Sequence, residues 1–178
     1  MSKIINIVLV ALMVFITVQV LAGFGIFGLD AAALIDAPAP DFTLTTLTGD
    51  SKSLSGYEGN VVLLTFWFPS CSACRMELPR LETLWKEHKE SGFEVLAIEA
   101  TGDNIGAEKF VVKYGINFTV LKNGTAGSGA VDKLYLVDRY PTSFLIDRKG
   151  VVRHHYIGFV PGMERKIEKD LKVLLSEQ

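Results

Sequence analysis

The sequence is poor in the residues on which several classes of small protein depend. It has two cysteines among 178 residues, which excludes a disulfide-rich scaffold. It has three histidines, and none is predicted close enough to the cysteines to complete a four-ligand zinc site. Lys and Arg (18) do not outnumber Asp and Glu (20), giving a net charge of −2. Because a nucleic-acid binder needs a basic face, we expect no nucleic-acid partner.

Apolar residues, by contrast, are in excess, and they are concentrated at the N-terminus. The stretch Ile4–Leu29 runs for 26 residues without a charge, behind Lys3. As a helix it would be about 39 Å long, enough to cross a hydrocarbon core of about 30 Å. Residues 1–29 therefore predict a single-pass anchor in membrane lipid, with the rest of the chain in the periplasm or otherwise outside the cytoplasmic membrane. A signal sequence cleaved near Ala31–Ala33 is the alternative.

Residues 30–40 are rich in Ala and Pro and predict a linker, and residues 41–178 predict one α/β domain. The spacing over 41–54 favours a β-hairpin that turns at Gly49-Asp50. Two nearly continuous apolar runs, at 61–67 and 93–100, predict strands buried on both faces. Helical patterns alternate with these strands, and a hairpin and a last helix close the chain. This order predicts a three-layer sandwich with a mixed central sheet and an N-terminal hairpin extension.

Both cysteines fall in Cys71-Ser72-Ala73-Cys74, where a buried strand gives way to a helix. Free N–H groups and the positive dipole end of that helix stabilise a thiolate, so we expect Cys71 to be an exposed nucleophile with a lowered pKa. Cys74 is placed one turn on, on the apolar face. An attacking thiol and a buried resolving thiol are what disulfide exchange requires.

Other uses of the pair remain open. A structural disulfide would close a short loop and add little stability. Zinc would need ligands from His88, about four turns down the helix, or from His154 and His155, which point to opposite faces of a strand. A copper metallochaperone could combine the thiols with a distant histidine. Peroxide reduction is the other enzymatic alternative, although the pattern PxxxTxxC is absent: Leu64 and Phe68 occupy its Pro and Thr positions.

The stretch Phe66–Arg75 resembles the active-site segment of the TlpA/ResA branch of the thioredoxin superfamily. The likeness extends over about 140 residues and includes four further motifs: Ala39–Leu44, Arg75–Pro79, Phe93–Ile98 and Tyr140–Asp147. It implies a thioredoxin-like fold and an extracytoplasmic enzyme that reduces disulfides in client proteins, for example apocytochrome c. It also implies a membrane thiol–disulfide electron donor. We predict no cofactor and no metal ligand.

The resemblance assigns roles to three more residues. Pro141 matches the cis-proline that faces the cysteine pair, and the backbone of Tyr140 would meet the client there; an ordinary loop proline is the alternative. Glu77 matches an acid that affects the pKa values of the thiols, and a solvated helix carboxylate is the alternative. Two departures stand out: Ser70 replaces the Trp common before the first cysteine, and Thr65 replaces the buried Asp of thioredoxin itself.

Overall fold

A mixed sheet forms the centre of the molecule, and its middle strands are the apolar runs of the sequence. The computed structural model describes residues 31–123 and 131–177. Within them seven strands form one sheet in the order β2-β1-β5-β4-β3-β6-β7. The strands, in chain order, are β1 (Thr43–Thr46), β2 (Ser51–Ser53), β3 (Val61–Trp67), β4 (Phe93–Glu99), β5 (Thr119–Lys122), β6 (Thr142–Ile146) and β7 (Val152–Ile157). Strands β3, β4 and β5 are parallel, and the remaining pairs are antiparallel.

Helices cover the two faces of the sheet unequally. They are α1 (Ser72–His88), α2 (Asn104–Tyr114), α3 (Val131–Leu134) and α4 (Met163–Ser176). Buried residues of α1, α2 and α4 share one core cluster with one face of β3, β4 and β6. The other face packs against α3 and the segments that precede β3. The predicted sandwich with a mixed sheet and an N-terminal hairpin is therefore the fold observed, with one thin outer layer.

Glycines in a left-handed conformation follow two of the helical segments. A one-turn 3-10 helix (Lys89–Ser91) follows α1 and stops at Gly92, whose φ is +83°. Gly115 ends α2 with a φ of +61° and donates its N–H to carbonyls of the last turn. Because side chains strain a left-handed backbone, glycine is the residue best suited to both positions.

The segment predicted as a linker lies against the outer edge of β7. Backbone N–H groups of Asp36 and Ala39 donate to the carbonyls of Val152 and Gly150, each at 2.8 Å. Arg153 adds an ion pair to Asp36 at 2.8 Å. An edge strand leaves one row of N–H and C=O groups without partners, and residues 36–39 satisfy part of that row. The composition predicts a linker over residues 30–40, but in the structure residues 36–39 are hydrogen-bonded to the edge of the sheet at β7.

Within residues 31–123 and 131–177 no helix is long and apolar enough to cross a membrane. The membrane helix predicted within residues 1–29 lies outside the described residues.

Candidate active site

The two cysteines form a disulfide at the junction of β3 and α1, with their Cα atoms 5.3 Å apart. Cys71 is the N-cap of α1, and its sulfur accepts a hydrogen bond from the backbone N–H of Cys74 at 3.1 Å. The first turn of a helix has N–H groups without intrahelical partners, and here one of them points at sulfur. In the reduced protein the same N–H would stabilise a thiolate on Cys71.

The accessibility of the pair differs from the sequence prediction in one respect. Cys74 is fully buried, as predicted, whereas Cys71 is only 9% exposed and not an open nucleophile. The turn before the helix brings Cys71 back over the core, since its N–H donates to the carbonyl of Phe68 at 3.1 Å. Phe68 and Tyr140 pack against the same buried cluster. Cys71 is thus the more accessible residue of the pair.

Tyr140 and Pro141 lie at the same end of the sheet as the cysteines. The peptide bond between them is cis, as the resemblance implies. Thr142 pairs with Phe66 in the antiparallel register of β6 and β3, which brings this loop beside the segment that leads to Cys71. The rings of Tyr140 and Phe68 meet edge to face with centroids 5.3 Å apart. Burial raises the pKa of the Tyr140 hydroxyl, and nearby acidic groups add to the effect.

Glu77 is buried, which excludes the solvated helix carboxylate that the sequence left open. Its side chain is 1% exposed and points from α1 onto the sheet. One carboxylate oxygen accepts a hydrogen bond from the Thr65 hydroxyl at 3.3 Å, and the other accepts one from the Ser143 hydroxyl at 3.3 Å. Burial raises the pKa of Glu77 to about 8, and these two hydrogen bonds lower it only in part.

Sequence reasoning missed Ser143 and Glu99. Ser143 is one of two polar residues, with Thr142, at the start of a buried strand that is otherwise apolar, and this polar pair was the available signal. Glu99 ends β4 on the cysteine side of the sheet and is fully buried. Its carboxylate accepts hydrogen bonds from the N–H groups of Thr101 and Gly102, so it caps the following turn. A single acid at a strand end gave no indication of that burial.

The histidines give no support to zinc or copper binding at the cysteines. Within the described part of the chain, one group of side chains has ligand atoms close enough to share an ion: Glu87, His88 and Glu168, within 4.8 Å of one another. His88 ends α1, about 21 Å along the helix from Cys74. Neither cysteine belongs to this group.

Comparisons with known proteins agree with this geometry. A family model described as the AhpC/TSA family matches residues 35–155. The thiol-disulfide oxidoreductase ResA of Geobacillus kaustophilus is 34% identical over 139 residues, which cover 77% of this chain and 78% of that protein. The thioredoxin-like protein YneN of Bacillus subtilis is 34% identical over 139 residues, covering 74% and 78%. A crystal structure from Chlorobium tepidum, assigned as thiol:disulfide interchange protein DsbE, is 34% identical with a TM-score of 0.72, covering 78% of this chain and 96% of that one.

Proposed function

Because the chain belongs to the AhpC/TSA family and is a ResA-like thiol-disulfide oxidoreductase of the thioredoxin superfamily, we propose that it reduces disulfides in client proteins outside the cytoplasmic membrane. The observation that carries the proposal is Cys71 at the N-cap of α1, with a helix N–H bonded to its sulfur. That position favours the thiolate, which is the form that attacks a disulfide.

The reaction has two exchange steps. The Cys71 thiolate attacks one sulfur of the client disulfide, forms a mixed disulfide and releases the other client sulfur as a thiolate. Cys74 then loses its proton and attacks the Cys71 sulfur, which releases the second client thiolate and leaves Cys71 and Cys74 joined. The client disulfide gains two electrons and the pair loses two. The backbone of Tyr140, beside Pro141, would hold the client segment during the first step.

Trapping experiments test the order of attack. Cys74→Ser should accumulate a mixed disulfide between Cys71 and a client, because the resolving thiol is missing. Cys71→Ser is the matched control and should accumulate none. Non-reducing electrophoresis of extracts treated with acid and a thiol-blocking reagent measures both. Accumulation by the Cys71→Ser variant instead would reverse the assignment of the two sulfurs.

The reduction potential of the pair tests the direction of electron flow. A value near the ~−270 mV of thioredoxin supports a reductase, whereas one near the ~−120 mV of DsbA would contradict it. A reductase needs electrons, so the proposal includes a membrane thiol–disulfide donor that reduces the Cys71–Cys74 disulfide again. Apocytochrome c is an example of the client class. The net charge of −2 gives no basis for proposing a nucleic-acid partner.

The proposed location depends on the uncharged stretch Ile4–Leu29. We expect it to remain attached as a single-pass anchor in the lipid of the cytoplasmic membrane, with the enzyme domain on the outer side. The chain should then stay with the membrane fraction after a carbonate wash and keep Met1 or Ser2 as its N-terminus. A product released from the membrane that begins near Gly23 or Leu34 would show cleavage instead.

A further inference from the structure

Two glutamates and a histidine meet where the last turn of α1 lies against α4. Glu87 and His88 end α1, and Glu168 lies on α4. One carboxylate oxygen of each glutamate and one ring nitrogen of His88 all lie within 4.8 Å of one another. They meet because buried apolar residues of α1 and α4 belong to one core cluster, which holds the two helices side by side. We call these three side chains the Glu87–His88–Glu168 cluster.

The histidine distinguishes this cluster from an ordinary acidic patch. Its Nε2 atom is buried and has no hydrogen-bond partner among the described residues, although buried polar atoms nearly always have one. A neutral imidazole has a lone pair on one ring nitrogen, and it is the side chain that most often binds metal ions. A cation held between His88 and the two glutamates would give the imidazole a partner.

The charges around the cluster favour a cation. Glu87, Glu164 and Glu168 line a cavity of about 250 Å³ between the two helices, together with Arg80. The C-terminal end of α1 contributes the negative end of a helix dipole. A hydrogen bond from Lys172 lowers the pKa of Glu168, so this carboxylate is ionised, as a metal ligand must be. Lys172 bonds to one oxygen of Glu168, and the carboxylate has a second oxygen to offer.

We propose that the Glu87–His88–Glu168 cluster is a binding site for a divalent transition-metal cation, with Zn²⁺ as the ion that fits it. Imidazole nitrogen and carboxylate oxygen are both zinc ligands, and three protein ligands leave a fourth position for water. Mg²⁺ and Ca²⁺ prefer oxygen ligands alone, so the histidine selects against them. Ligand atoms around a tetrahedral zinc ion are about 3.3 Å apart, so side-chain rotations of Glu87 and Glu168 would close the cluster around the ion.

The site is remote from the disulfide. His88 lies about 21 Å along α1 from Cys74, so a zinc ion bound there does not contact the sulfurs that exchange. A cation that binds the folded chain and not the unfolded one stabilises the fold. The bound ion would therefore join the end of α1 to α4 and leave the chemistry of the cysteines unchanged.

Isothermal titration of Zn²⁺ into the oxidised 178-residue chain tests the proposal. In this form Cys71 and Cys74 are joined, so neither offers a thiolate to the ion. We expect one saturable site per chain. His88→Ala and Glu168→Gln should each weaken binding at least tenfold, because losing an outer-shell partner already costs about 10–100-fold and these residues are direct ligands.

Two further variants separate this site from nonspecific binding. Lys172→Met should tighten zinc binding, because it removes a positive charge that bonds to Glu168. His154→Ala is the matched control and should leave binding unchanged. The Nδ1 atom of His154 lies 3.8 Å from Asp170, a carboxylate of the same helix, but His154 does not belong to the cluster.

Thermal unfolding supplies a second readout. Zn²⁺ should raise the unfolding midpoint of the wild type and of His154→Ala, and it should raise that of Glu168→Gln much less. Absence of saturable binding, equal affinity in the wild type, His88→Ala and Glu168→Gln, or loss of binding in His154→Ala would each overturn the proposal. Circular dichroism without zinc checks that each variant is folded, and Glu168→Gln, which keeps the shape of a half-buried side chain, decides the matter if His88→Ala is not. These results do not depend on whether the chain reduces client disulfides.

Discussion

Glu77 allows a quantitative prediction about stability, because its carboxyl group titrates differently in the folded and unfolded chain. Burial raises its folded pKa to about 8 from an ordinary 4.5. Between these values the folded state holds a proton that the unfolded state has lost, so stability falls as pH rises. Each pH unit costs about 1.4 kcal/mol. The stabilising effect of the folded-state proton is complete below pH 4.5 and is lost as pH rises through 8.

Glu77→Gln removes this titration while keeping the side chain's shape and a hydrogen-bonding head. At pH 4 the variant and the wild type should have similar free energies of unfolding. At pH 7 the unfolded carboxyl is ionised and the folded one is still mostly protonated, so the variant should be more stable by about 3 kcal/mol. Above pH 8.5 the difference should approach about 5 kcal/mol. Urea unfolding of the oxidised 178-residue chains at several pH values measures it.

Glu82, on the same helix, is the matched control and should show the opposite sign. Burial alone would raise the pKa of Glu82, but hydrogen bonds from Asn117 and Lys86 together lower it. Glu82→Gln should therefore destabilise the chain at pH 7, by about 1–3 kcal/mol, and the effect should fade as pH falls below the ordinary value. Parallel curves for wild type and Glu77→Gln across this pH range would refute the reasoning about Glu77.

Three further substitutions test the core and the sheet edge. Leu78→Ala, in the fully buried face of α1, should lower the free energy of unfolding in urea by about 2–5 kcal/mol, and a loss below 1 kcal/mol would show that α1 does not pack as described. Tyr135→Phe should cost about 1–2 kcal/mol, because it removes the 2.8 Å hydrogen bond to the carbonyl of Pro40; an unchanged thermal midpoint would contradict that contact. Asp147→Asn should destabilise by about 1–3 kcal/mol at pH 7, because Asp147 accepts from Arg153 and two backbone N–H groups. Those hydrogen bonds outweigh burial and lower the pKa of Asp147. The difference in unfolding free energy between Asp147→Asn and the wild type should therefore disappear as pH falls through that lowered pKa. A difference that persists in acid would show that the ionised carboxylate is not what stabilises the fold.

The fold was predictable wherever one local pattern was sufficient. The apolar run 61–67 is β3 to the residue, because a strand buried on both faces needs no alternation. Gly92 and Gly115 end helices because their left-handed φ values are local requirements. In the site, the role of Cys71 and Cys74 as a disulfide-exchanging pair could be predicted from their spacing and from their position at the start of a helix.

What the sequence did not reveal depends on register between distant strands. The position of Glu77 indicated that it lies near the cysteines, but its burial depends on Thr65 and Ser143 meeting across β3 and β6. The small exposure of Cys71 depends likewise on a tertiary arrangement around the preceding turn. The register between distant strands is determined by the whole sheet, so local sequence patterns do not predict it.

The two edges of the sheet affect whether an unfolded polypeptide could pair with it. At one border β2 has three residues, Ser-Lys-Ser, and at the other residues 36–39 cover the start of β7. Short, charged or covered edges discourage the addition of a foreign strand. If the chain acts on client proteins as proposed, it would meet extended polypeptides repeatedly, and a sheet edge open to pairing with their backbones would favour aggregation. In the proposed reaction, the mixed disulfide between Cys71 and a client would be broken by the attack of Cys74, whereas a client strand added to the sheet would remain bound.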